Sequence, residues 1–118
     1  MAEFGLFIGW GNPVRGREQK ASAVFNEAVE LYTRLQQEGA IESWEPIFLE
    51  PHGGDLGGFF LLRGDRDKLA QIRSSDEISR LNMRASLVVE NFGVVGAELG
   101  PRIAEQMQNY LQYAGELA

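Results

Sequence analysis

The feature that most constrains this chain is an imbalance between oily strand and the helix available to cover it. Four short apolar segments alternate with two helical patterns in the order strand, helix, strand, strand, helix, strand. The first reads Phe4-Gly5-Leu6-Phe7-Ile8-Gly9-Trp10 and the third Phe59-Phe60-Leu61-Leu62, and neither has a polar residue at every second place. A sheet with one wet face alternates apolar and polar side chains, because successive residues point to opposite sides. These strands are apolar on both faces, and the helices between them suffice to cover only one. A second copy of the chain is the most economical cover for the other.

The rest of the pattern fits around that sheet. From Glu18 to Glu38, apolar residues at Ala21, Val24, Phe25, Ala28, Leu31, Tyr32 and Leu35 draw one helical stripe, and Gly39 marks its stop. Residues 40–50 read as the second strand, where Pro46 argues for an edge or a bulge because it donates no ladder hydrogen bond. The glycine-rich run 51–58 joins strands two and three as a hairpin. Asp65 is placed to cap a helix carrying Leu69 and Ile72, which Ser74-Ser75-Asp76 interrupts before a second piece with Ile78 and Leu81. Residues 85–95, centred on Leu87-Val88-Val89, are expected to form the fourth strand. Pro101 then opens a final helix whose stripe is Ile103, Met107, Tyr110, Leu111 and Ala114.

Composition narrows the function. One domain spanning residues 1–118 fits the length, and 44% hydrophobic with 24% charged residues is an ordinary globular balance. A net charge of −6 argues against a nucleic-acid partner, which needs a basic field. The chain has no cysteine, which removes thiolate chemistry and cysteine-held metal sites. The N-terminal stretch, with its acidic Glu3 and its glycines, is unlike a signal peptide, and no run reaches the length of a membrane span. The expectation is a cytoplasmic protein without a membrane partner.

The order βαββαβ, with a long first helix and a split second one, resembles the ferredoxin-like fold and, more narrowly, the dimeric α+β barrel superfamily. The residues that carry the resemblance are the apolar strands Phe4–Trp10 and Phe59–Leu62 and the short helical pieces before Leu87–Val95. It implies an α+β fold: a four-stranded antiparallel sheet, two copies pairing their sheets, and helices outside. The final helix is an addition to the minimal pattern. The superfamily includes cofactor-independent monooxygenases, haem-handling enzymes, lactone isomerases, aldoxime dehydratases and domains that bind small ligands or only oligomerise. Fold therefore carries little functional weight.

Six residues are candidates for chemistry. His52 is the only histidine and so the one side chain that titrates near neutrality unaided, as a general base would. Its neighbours Pro51, Gly53 and Gly54 equally suit a solvated turn. Trp10 and Asn12 are residue types with which some monooxygenases of the superfamily hold a polycyclic phenol, although their spacing matches no transferable motif. The plainer account makes Trp10 packing and Asn12-Pro13 a turn. Trp44, with Phe48, and Arg63 complete a possible ligand-binding set. Glu90, inside an apolar run, is either an acid in a barrel interior or the solvent-facing end of a strand. No metal site is expected, since one histidine and scattered carboxylates lack ligand spacing. No cofactor is expected either: the glycines form neither a dinucleotide fingerprint nor a P-loop. Two readings follow. One is a homodimeric domain for binding an apolar small molecule or for assembly. The other is a cofactor-independent monooxygenase or isomerase acting on an apolar, aromatic compound.

Overall fold

Strand β1 (Phe4–Trp10) runs antiparallel between β3 (Gly58–Gly64) and β4 (Gly93–Glu98), and β2 (Ser43–Phe48) lies beyond β3 at one edge. The structure is a computed structural model and describes residues 2–118. Pro46 falls on the edge strand, where its missing N–H costs no interior hydrogen bond. Register pairs Leu6 with Leu62 and Ile8 with Phe60, so these four share one face. Phe7 lies opposite Leu61 on one side and Val95 on the other, on the reverse face.

The first face is the core. Helix α1 (Glu18–Gln37) buries Val24, Ala28, Leu31, Tyr32 and Leu35 against it, α2 (Arg66–Arg73) adds Leu69 and Ile72, and α3 (Asp76–Ser86) adds Ile78 and Leu81. Caps end these helices as their residues dictate. Gly39, at φ +78°, lets Ala40 N–H reach Leu35 O at 2.9 Å and its own N–H reach Gln36 O at 3.1 Å, which closes the last turn of α1. The Asp65 carboxylate accepts from Lys68 N–H at 3.1 Å. Helix α4 (Pro101–Glu116) starts with proline in its first turn and buries none of its residues.

Among the described residues no helix lies over the reverse face. Phe7 and Phe59 lie there with ring centroids 4.7 Å apart, beside Leu61 and a Val95 that is 54% exposed. Phe48 and Leu62 belong to the helix side instead. This is the α+β ferredoxin-like arrangement, with helix on one side of the sheet only.

The fourth strand departs from the sequence expectation. It starts at Gly93, not near residue 85. Turns of helical hydrogen bonding carry on past α3, with Val88 N–H and Val89 N–H both reaching Ala85 O at 3.0 Å. Two adjacent valines read as strand, but Val88 is buried among the helices, and that burial outweighs a β-propensity that varies with context. Glu90 and Asn91 consequently lie in an exposed connection, not within an apolar strand or a barrel interior.

Candidate functional site

Between the sheet and the helices α1 and α3 lies a cavity of about 360 Å3. Its floor is aromatic. The Phe60 ring, from β3, stacks on Phe25 of α1 at 5.1 Å, and Trp10 and Tyr32 stand at 5.1 Å from the same ring. Phe48 at the end of β2 closes one side, 5.5 Å from Phe25. The opposite wall is α3 with the turn after it, through Leu81, Asn82, Val88 and Phe92. Glu18 and Ser22, both exposed, sit at the rim, and Glu18 is the only charged residue along the wall among the described residues.

The walls are held apart by specific contacts. Arg84 of α3 donates to Glu27 of α1 at 2.9 Å, and Arg34 of α1 donates to Glu77 of α3. Arg17 reaches across to the Leu87 carbonyl at 2.6 Å, placing a cation on the C-terminal end of α3. Exposed pairs of this kind contribute little stability each, and their use here is to fix spacing.

Two polar residues border this apolar interior, although the Asn82 oxygen itself is shut off from solvent. Burial holds the Tyr32 phenol well above its ordinary pKa, so the ring is a neutral hydroxyl at any physiological pH. The Asn82 carboxamide oxygen is buried and has no hydrogen-bond partner among the described residues. Buried carboxamides are nearly always satisfied, so an unpaired one on a cavity wall is a place where a ligand donor would be welcome. Asn82 escaped the sequence reading although a signal existed: it follows Ile78 by four residues and Leu81 by one, a polar residue in an apolar register of α3.

Of the six candidates read from the sequence, Trp10 lines this cavity. Trp10 also borders a second hollow of about 380 Å3, where Asn12 and His52 are found with it. His52 closes its own loop. Nδ1 accepts from Gly54 N–H at 3.2 Å, and Nε2 lies 2.7 Å from the Leu56 carbonyl. Glu90 contributes main chain to this region, its N–H donating to Asn12 O and its carbonyl accepting from Gly11 N–H. Trp44 packs behind the cavity, 5.9 Å from Tyr32 and 6.1 Å from Phe60. Arg63 lies on the uncovered sheet face and pairs with Glu45 at 3.4 Å. Trp10, Asn12 and His52 are thus brought together, with the Glu90 main chain beside them, while Trp44 and Arg63 stand apart.

No protein-family model and no curated protein matches the chain. Solved structures do resemble it. An ethyl tert-butyl ether d (EthD) family protein from Bacillus halodurans superposes with a TM-score of 0.65 at 12% identity, over 83% of this chain and 99% of that one. A DABB family protein with a ferredoxin-like fold, from Mesorhizobium loti, gives 0.63 at 11% identity, over 83% and 99%. A dimeric protein of unknown function and ferredoxin-like fold, from Bacteroides fragilis, gives 0.58 at 13% identity, over 81% and 96%. Likeness at such identities is likeness of fold alone, and it agrees with the fold of the dimeric α+β barrel proteins.

Proposed function

We propose that the protein is a homodimeric domain that binds a small, mostly apolar, ring-bearing molecule in the cavity between its sheet and its helices. The observation that carries the ligand is the cavity itself. Its volume falls within the range of small-molecule sites, about 300–1,000 Å3, and its wall combines six aromatic side chains with one unpaired carboxamide oxygen. Among the described residues no cation lines that wall, which favours a neutral ligand over a carboxylate or phosphate. A hydroxyl on the ligand suits Asn82, because a small turn of that side chain would let it donate to the oxygen or accept from the nitrogen of the amide. The homodimer is supported by the uncovered apolar face and by the dimeric protein of the same fold.

The test is titration with 2-naphthol and naphthalene, followed through tryptophan fluorescence, since Trp10 is in the wall. Saturable binding of both, lost when Ala85→Phe fills the cavity, is the expected result. Absence of saturable binding, or binding that survives Ala85→Phe, overturns the reading.

Catalysis is the second reading, and the observation favouring it is that Trp10 and Pro13 line both the cavity and the hollow holding Asn12 and His52. An oxygenase or isomerase would use His52 as base and Asn12 to steady an anion, with Glu90 as a neighbouring acid. The loop contacts made by both His52 nitrogens weigh against it. Trp44 would then support the rings from behind, and Arg63 would meet the second copy rather than the ligand.

A further inference from the structure

Helix α4 faces the wrong way for a helix that packs on its own domain. Its half-buried residues are Arg102, Gln106 and Asn109, all polar, at the spacing of one helical face. Its apolar residues Ile103, Met107 and Tyr110 each come one position later, a rotation of about 100° around the axis. That stripe is open to solvent: Ile103 is 52% exposed, Met107 53%, and Leu111 beside them 64%. The polar side is fastened to the body. The Glu98 carboxylate accepts from Arg102 at 2.8 Å and from Gln106 at 2.7 Å, and the Arg102 guanidinium lies 5.4 Å from the centroid of Phe4. The arm is held out in a set direction. The chain's radius of gyration is accordingly 16.3 Å, against about 13.5 Å for a compact domain of this length.

We propose that α4 is an arm exchanged between two copies of this chain, its Ile103, Met107, Tyr110 and Leu111 stripe docking on the second copy beside the contact between the sheets. The inference rests on the homodimer proposed above. Two observations select a second copy over any other partner. The first is charge. Each copy carries −6, so copies repel except where their surfaces are neutral. Residues 106–115 contain no Asp, Glu, Lys or Arg, in a chain that is 24% charged. The strands of the uncovered face carry only Glu45 and Arg63, which cancel each other at 3.4 Å. An acidic or a basic partner would find nothing on either surface to recognise.

The second observation is continuity. Leu99, the residue that leads into α4, lies over Gly5 on the uncovered face, where a methyl at position 5 would come within 3.1 Å of its Cδ1. The arm therefore starts at the margin of the surface that pairing would bury. A lone helix of this length is marginal in water, and docking supplies what it lacks.

The experiment is sedimentation velocity at micromolar concentration on the intact chain, on Met107→Glu/Leu111→Glu, and on Gln112→Glu, whose side chain is on the far side of α4. The double variant should raise the dimer dissociation constant by about 100-fold or more, as loss of two central apolar contacts does, and Gln112→Glu should leave it unchanged. Retained 2-naphthol binding would show that the body of the double variant stays folded. If the double variant loses that binding, a chain ending at Gly100 decides. It must bind the probe and be monomeric. A double variant or a shortened chain that dimerises as tightly as the intact protein overturns the exchanged arm and leaves the homodimer standing. An intact chain that is monomeric overturns both.

Discussion

At the scale of single residues, the informative side chain is Asn82. An unsatisfied buried amide costs about 1–3 kcal/mol, so α3 carries a penalty at a position where leucine would continue its apolar stripe. Asn82→Leu keeps the branched shape of the side chain and removes the penalty. Urea unfolding of the unliganded variant should show a gain of about 1 kcal/mol, and the variant should bind 2-naphthol no more tightly than naphthalene. A variant less stable than the parent would show that the amide is satisfied in solution. The neighbouring cluster illustrates how a site escapes a reading made along the chain. Trp10 announces itself as a tryptophan at a strand end. Phe25 and Phe60 lie in different elements, and only the approach of α1 to β3 makes them one surface, 5.1 Å ring to ring. His52 shows the converse. Its residue type suggests catalysis, yet its contacts are those of a loop fastening.

At the scale of elements, the junction of β4 with α4 is governed by one carboxylate. Gln106, and after it Arg102, hold Glu98 below its ordinary pKa through hydrogen bonds to the charged form. A carboxylate depressed in the folded state contributes stability that is present at neutral pH and is lost as the pH falls through its folded value. Acidification below about pH 4.3, the ordinary value for glutamate, should therefore loosen the root of α4, seen as lost helicity in far-ultraviolet circular dichroism. Glu98→Gln should flatten that dependence; an identical acid limb in the variant would assign the loss to other groups. The helices were legible as elements because an apolar stripe at helical spacing has few alternatives: α1 was expected over 18–38 and runs over Glu18–Gln37, and α4 was expected from Pro101 and begins there. Strand β4 was not. Leu87-Val88-Val89 suits a buried strand and a buried helix end equally, and only the position of α3 over the core separates them.

At the scale of the whole molecule, the chain presents two apolar surfaces without net charge, a sheet face and a helix stripe, within an acidic protein. If folding and pairing are linked, the midpoint of urea unfolding must climb with protein concentration, by about 2.7 kcal/mol in apparent stability for each hundredfold. A midpoint independent of concentration would mean that each copy stands alone with its oily face in water. No helix among the described residues is long and apolar enough to cross a membrane. Residue order alone determined the succession of elements, the caps at Gly39 and Asp65, the restriction of the proline strand to an edge or a bulge, and the shortage of cover, because each follows from local sterics or from counting apolar faces. Tertiary structure decided where β4 begins, which rings meet around the cavity, and that the stripe of α4 turns away from its own domain. Those depend on the distances and rotations between elements far apart in the chain, which no local pattern encodes.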